Sequence, residues 1–387
     1  MRKDRKKTKI LTVLLAGSML ALSGCQDAGR KPAEKEQEEA AQEQENTDAP
    51  KEAVQEAEEE TKASEVLQIT FLSETEDDYD PESGQWLLHT EYQRLEADGG
   101  SEEAAQALEE WSRNRVKEIE QVRTQYAANA LEEGREPSDY YQYSIYESLE
   151  AVRIDRRAVS LVEQNSEYSG GAHGNYGSTG VNFDAQTGEL LELSDILTDE
   201  EGFQKKAEEE LIRKLSDTYQ DGLFDGYEDT IRQMWESGPN WYLDGAGITF
   251  IFQPYLIGPY AMGEARVTLP YKEMEAYLEP SWLPERLSTA SGAGVLKIPA
   301  EEEIPLFFSE TDSQAHVLRL GIAGEEGYGP IRLELGDSSV ETESFERIGS
   351  AFLDCRTDGR VFLIFDADYA SDDFVTFVYE LTDGVLK

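Results

Sequence analysis

The sequence predicts an α+β protein: antiparallel sheets with covering helices in a central module, followed by a β-rich C-terminal unit. Three observations predict it. Runs of alternating apolar and polar residues, such as Val181-Asn182-Phe183-Asp184, recur along the chain and have the period of half-buried strands. Two longer stretches, around Leu108 and Leu211, space their apolar residues by three and four, the period of a helix covering a sheet. Beyond residue 295 only strand-like runs remain.

Size and charge bound the rest. A chain of 387 residues with 39% hydrophobic residues exceeds one ordinary core, so more than one folded unit is expected. Asp and Glu number 81 against 35 Lys and Arg, a formal net charge of −46. That field repels nucleic-acid phosphates and anionic lipid headgroups and attracts cationic proteins, more weakly as salt rises. No nucleic-acid partner is expected.

Residues 1–25 have the layout of a lipoprotein signal peptide. A basic segment from Arg2 to Lys9 precedes an apolar run from Ile10 to Leu20, too short to span a bilayer. Leu22-Ser23-Gly24-Cys25 then resembles a bacterial lipobox, which implies a diacylated Cys25 and anchoring to the outer face of the cell membrane. Residues 26–65 hold 14 acidic and 5 basic residues and almost no large apolar side chain, the composition of a disordered, self-extended tether.

The first folded unit is expected over residues 66–168. Val66 to Leu72 and Gln85 to Leu95 read as strands, with Asp77-Asp78-Tyr79-Asp80-Pro81 as an acidic turn between them that lacks the Gly and Glu of an EF-hand loop. Ser101 caps a long helix with Glu102 and Glu103 in its first turn. Leu108, Trp111, Arg115, Ile119, Val122 and Tyr126 form its inward stripe, and Gly134 ends it. Strands near Tyr141 to Glu147 and Val152 to Val162 complete the sheet.

The second unit, residues 169–280, carries the most distinctive stretch: Ser169-Gly170-Gly171-Ala172-His173-Gly174-Asn175-Tyr176-Gly177 between two strand-like runs. Four glycines allow positive φ at several points, so the stretch is a shaped loop. A turn at Ala185-Gln186-Thr187-Gly188 and a run from Glu189 to Leu193 follow. Thr198 and Glu201 fit a capping box, Phe203, Ala207, Leu211 and Leu215 a helical stripe, and Tyr227, Ile231, Met234 and Trp235 a shorter helix ending at Gly238-Pro239. Ile248 to Phe252 and Arg266 to Leu269 read as antiparallel strands. The loop between them, Gln253 to Gly263, is stiffened by Pro254 and Pro259 and presents Tyr255 and Tyr260.

Residues 281–294 read as a linker and 295–387 as the β-rich unit, with strands at Val317 to Ile322, Ile331 to Leu335, Val361 to Phe365 and Phe374 to Leu381. Only Val385-Leu386-Lys387 follows the turn signal Thr382-Asp383-Gly384, which implies either a truncated strand or a minimal closing one.

The glycine stretch, Phe183-Asp184 with Thr187-Gly188, Leu193-Ser194-Asp195-Ile196-Leu197, and the Gln253 to Gly263 loop leading into Leu269-Pro270-Tyr271 together resemble a family of bacterial extracytoplasmic domains. The chain is similar over about residues 66–280 to the outer region of the lysozyme-sensing anti-sigma factor of Gram-positive bacteria. It is similar also to the non-catalytic N-terminal half of certain peptidoglycan deacetylases. The resemblance implies lysozyme binding through this region. It departs from both: no sigma-binding segment precedes the apolar run and no deacetylase domain follows Pro280, so neither of those whole-protein roles is expected.

Candidate catalytic constellations are weak. His89, His173 and His316 stand at no metal-ligand spacing, and with Cys25 lipidated Cys355 has no cysteine left to pair with, so neither metal, cofactor nor internal disulfide is expected. The glycines match neither a P-loop nor a dinucleotide fingerprint. Ser169 lies near His173 with no orienting acid identifiable, so no catalytic residue is assigned. His173 is expected to fix its own loop by a hydrogen bond, with partner contact as the alternative. Tyr176, Tyr255 and Tyr260 either face a ligand or plug the sheet ends. The expected function is noncatalytic binding of an envelope-associated ligand, a cationic protein such as lysozyme or cell-wall peptidoglycan, through His173, Asn175, Tyr176, Tyr255, Pro259 and Tyr260. The alternative is a glycan hydrolase using carboxylates that the sequence does not single out.

Overall fold

The computed structural model describes residues 66–134, 140–284, 294–300, 303–306, 308, 314–324, 328–356, 360–368, 374–382 and 385–387. The lipobox with Cys25, the acidic tether and most of the linker lie outside these residues. Secondary structure is α+β, as the sequence predicts, with helices in the first two thirds and, among the described residues, only strands beyond residue 294.

Strands β1 (Gln68–Tyr79) and β2 (Trp86–Asp98) form a long hairpin. Helix α1 (Glu102–Glu133) then crosses over, so that β3 (Tyr143–Ile154) pairs parallel to β2. Ser101 accepts the Ala104 amide as N-cap, and Gly134 takes the C-cap at φ 57°. Leu108 and Ile119 are buried beneath α1, whereas Val122 is 42% exposed and leaves the expected stripe. In its place the adjacent Arg123 turns inward and binds Asp78 at 2.8 Å and also Glu76. This guanidinium on Asp78, and His89 at 2.8 Å from Asp77 on the other face, explain why both residues continue β1 instead of forming the expected turn, which begins only at Asp80.

Strands β3 and β4 (Ala158–Tyr168) meet at Asp155, whose carboxylate accepts the amides of Arg157 and Ala158 at 2.8 Å. This Asx-type turn places the boundary inside the run Val152 to Val162, which the sequence reads as one strand. Strand β5 (Asn175–Asp184) pairs antiparallel with β4 along its whole length and begins six residues before the run expected at Val181. After the turn at Asp184 to Gly188, the expected strand from Glu189 contributes a single bridge, Phe183 to Leu190, before a 3-10 turn at Leu193–Ile196.

Helix α2 (Glu200–Tyr219) is capped by Asp199, which accepts the Gly202 amide at 3.0 Å; Thr198 instead donates its own amide to the Tyr277 carbonyl. A methyl group at Gly202 would lie 2.8 Å from the Tyr277 ring, so glycine is required by packing despite its weak helix propensity. Phe203, Ala207, Leu211 and Leu215 are fully buried. With Ile231 of α3 (Tyr227–Ser237) they pack on a small sheet of β6 (Trp241–Leu243), β7 (Gly247–Phe252) and β8 (Ala265–Pro270).

This small sheet docks beside β5. Gly180 allows it, because a Cβ there would collide with the Trp241 carbonyl. Asn182 donates to the same carbonyl at 3.0 Å, and Tyr242 and Ile251 pack against Val152 and Val162. A short helix α4 (Tyr271–Met274) follows β8.

Strand β9 (Gly294–Lys297) pairs with the end of β3 on one side and with β14 (Arg347–Cys355) on the other. Through it the sheet continues into β15 (Val361–Asp368), β16 (Phe374–Thr382) and β17 (Val385–Leu386). Strand β17 pairs antiparallel with β16 over two residues. A four-stranded sheet of β10 (Ile304–Leu306), β11 (His316–Ile322), β12 (Gly329–Leu335) and β13 (Ser338–Phe345) packs on it around Leu318, Leu333, Phe345 and Phe365. Asp366 lies within β15 and accepts from Thr376 at 2.6 Å.

Candidate binding site

The site is built where the β4–β5 hairpin tip meets the β7–β8 loop. The last pair of the hairpin is Glu167 with Asn175, and the chain reverses through Gly170 and Gly171, both at positive φ (96° and 94°). Asn175, Tyr176 and Gly177 therefore belong to the start of β5 and not to the loop proper.

Side-chain amides lock the two segments together. Ser178 donates its amide to Gln253 Oε1 at 3.3 Å and accepts at its carbonyl from Gln253 Nε2 at 2.5 Å and Asn240 Nδ2 at 2.7 Å. Gly180 donates to Asn240 Oδ1 at 2.9 Å, and Arg266 donates to the Ser178 hydroxyl at 2.9 Å. These contacts replace the backbone ladder along the free edge of β5. Gln253, Asn240 and Arg266 are thus the positioning residues that sequence reasoning missed. Gln253, first residue of the expected loop, gave the only signal.

Four rings gather on this frame. His173 stacks on Tyr260 with centroids 4.2 Å apart and 23° between planes. Tyr176 meets Tyr260 edge-on at 5.5 Å, and Tyr255 lies 5.6 Å away on the same ring. The Tyr260 hydroxyl donates to the Gly174 carbonyl at 2.8 Å. His173 Nδ1 lies 2.9 Å from the same oxygen, which can only accept, so Nδ1 is a protonated nitrogen in this contact. Pro259 precedes the 3-10 turn Tyr260–Met262 that presents the central ring. Tyr255 sits at φ 69°, a left-handed conformation that a side-chain-bearing residue holds at a cost, and its ring is 57% exposed. His173, Asn175, Tyr176, Tyr255 and Pro259 are all exposed and Tyr260 is half-buried among them.

The structure therefore brings five of the six residues singled out in the sequence, His173, Tyr176, Tyr255, Pro259 and Tyr260, to one surface. That surface presents flat rings, hydroxyls and one imidazole. Asn175 is exposed but pairs with Glu167, whose carboxylate accepts from Tyr126 of α1, so by register it faces the other side of the sheet. Cys355 is buried, which pushes its thiol up to about 12, far from a reactive thiolate. No group of three or more His, Cys, Asp or Glu able to hold a metal occurs among the described residues, and no helix among them is long and apolar enough to cross a membrane.

Fold and site together define an α+β protein with an aromatic hairpin tip. Residues 194–272, which include the Tyr255 and Tyr260 loop, match the family described as a protein of unknown function (DUF3298). Similar crystal structures include a DUF3298 family protein from Pseudomonas aeruginosa PAO1, with 19% identity over 58% of this chain and 100% of that one and a TM-score of 0.44. Another is a member of the family from Bacteroides fragilis NCTC 9343, with 22% identity over 57% of this chain and 96% of that one and a TM-score of 0.43. No curated protein matches the chain.

Proposed function

We propose that this protein is a lipid-anchored, extracytoplasmic lipoprotein that captures an envelope-associated ligand without breaking bonds. The observation that carries this reading is the gathering of His173, Tyr176 and Tyr255 around Tyr260 on an exposed tip. Stiff aromatics give contact area at little entropic cost, and here a strained backbone and four side-chain amide bonds hold them in place. The lipobox at Cys25 supports the anchor, and the acidic segment after it supports a tether that carries the folded part away from the membrane. The resemblance to the outer region of the lysozyme-sensing anti-sigma factor supports the same placement.

Two ligands fit, each on its own observation. The net charge of −46 favours a cationic protein such as lysozyme, and the row of hydroxyl-bearing rings favours cell-wall glycan. Titration calorimetry of the full-length chain against lysozyme and against solubilised wall glycan, at low and moderate salt, tests the reading. Heat with at least one ligand that disappears in Tyr255→Ala and Tyr260→Ala is expected. Binding to neither, or binding indifferent to both substitutions, contradicts it. Metabolic labelling with a fatty acid that is lost in Cys25→Ser is the expected result for the anchor.

A further inference from the structure

A second aromatic cluster lies at the same end of the large sheet. His89 stacks on Tyr141 at 5.3 Å and contacts Tyr146 at 5.6 Å, while Trp86 meets both His89 and Tyr141 edge-on at 5.7 and 5.2 Å. Tyr79 stacks on Trp86 at 6.0 Å and is 53% exposed. The hydroxyls of Tyr141 and Tyr146 are 3.0 Å apart, and His89 Nδ1 pairs with Asp77 at 2.8 Å.

Strand register shows that this cluster and the hairpin tip share one face. Directly paired residues in a sheet point to the same side. Thr75 pairs with Glu91, Glu91 with Tyr146, Tyr146 with Ser166, and Ser166 with Tyr176. Tyr146 and Tyr176 therefore stand in one row with only exposed Ser166 between them, two strand spacings or about 10 Å apart. Helix α1 covers the opposite face, where Ala130 packs on Leu88, Tyr143 and Ile145 and Arg115 binds Glu147. The small sheet covers this face only farther along, at Val162. What remains is an open shelf running across the strands, walled at one end by Tyr79, Trp86 and Tyr141 and at the other by the Tyr255 and Tyr260 loop.

We propose that this shelf is an extended binding site for a linear glycan of neutral or amine-bearing amino sugars, lying across the strands and stacking on both clusters. The proposal rests on the reading of the hairpin tip as a ligand site and names the ligand class. Rings repeated along a line match a polymer that presents a flat C–H face at each sugar, and the intervening Ser166, Tyr141 and Tyr146 hydroxyls match its hydroxyl and amide groups. Asp77 and Glu91 on the same face, in a chain of net charge −46, disfavour polyanionic polymers and accept hydrogen bonds from amines.

The test is titration of the full-length chain with the disaccharide and the hexasaccharide of chitin, with hen lysozyme in parallel. The hexasaccharide is expected to bind more tightly than the disaccharide. Tyr141→Ala and Tyr255→Ala are each expected to weaken it by about tenfold, one lost stacking contact. Tyr79→Ala, at an exposed ring, checks the first cluster should Tyr141→Ala disturb the fold. Hexasaccharide binding that depends on Tyr255 and ignores both Tyr79 and Tyr141 overturns the shelf and leaves the tip standing. Lysozyme binding without glycan binding overturns the ligand class. Binding of no probe removes the tip reading as well.

Discussion

At the scale of single residues, the binding role proposed for Tyr255 is set against stability. Its φ of 69° costs a side-chain-bearing residue about 1 kcal/mol or more, and the ring so held buries little of itself. Tyr255→Gly is expected to raise the thermal midpoint or leave it unchanged while ligand binding falls, whereas a ring serving only to plug the sheet end would lose stability when removed. Calorimetric melting beside a binding isotherm separates the two. Neither the strain nor the ring geometry was legible in the sequence. The tyrosines and His173 stood out because glycines and prolines bounded them, but only the folded loops show that Tyr260 is the central ring and that His173 both stacks on it and bonds its own loop.

At the scale of elements, the seam between α1 and the sheet holds a buried charge cluster. Arg115 binds Glu147 at 3.2 Å and also Glu163, and donates to the Gln93 carbonyl at 2.7 Å. Burial pushes the Glu147 carboxyl up to about 7 from its ordinary 4.5, with Glu163 adding to the shift and Arg115 opposing it. Between those values the folded protein keeps a proton that the unfolded chain has released. This group therefore favours folding at the low end of the window, and that contribution is lost as pH rises through about 7. Glu147→Gln is expected to gain stability relative to the parent between pH 5 and pH 8, read from urea midpoints; a constant difference across that range contradicts the account.

A second buried cation ties β3 to the segment after β8. Arg153 is fully buried, pairs with Asp155 at 2.7 Å and donates to the Tyr271 hydroxyl at 3.0 Å and the Trp282 carbonyl at 2.8 Å. Arg153→Ala is expected to cost about 3–5 kcal/mol of unfolding free energy, because it strands these partners in a dry interior. A loss below about 1 kcal/mol, the range of a surface pair, is the contrary result.

The elements most visible in the sequence were those whose apolar period was strong: the α2 stripe is buried at every expected position, and β7 and β8 pair as predicted. The boundaries that went astray share one cause. Asp78, Asp155 and Asp199 each carry a carboxylate whose partner lies elsewhere in the fold or in a turn, and it is that partner that moves a strand end or a helix cap. The small strand β6 was missed because its edge bonds run through Asn182 and Asn240, not through a hydrophobic repeat.

At the scale of the whole molecule, topology turns two remote stretches into one surface. The glycine hairpin and the Gln253 to Gly263 loop are about 80 residues apart in sequence and meet because the small sheet docks on the free edge of β5. The parallel crossing of α1 brings Tyr141 and Tyr146 beside His89 in the same way, which no local pattern announces. The charge adds a long-range effect: association with a cationic partner is expected to slow as salt rises from about 10 mM to 150 mM, where the screening length falls from about 30 Å to 8 Å.

The proposed ligand surface joins the hairpin tip to the β7–β8 loop. Hydrogen–deuterium exchange of the full-length chain, with and without saturating wall glycan or lysozyme, tests it most directly. Slower exchange appearing together in peptides covering Ser169 to Gly177 and Gln253 to Gly263 is the predicted result. Protection confined to the C-terminal sheets, or to one of the two loops without the other, would contradict it.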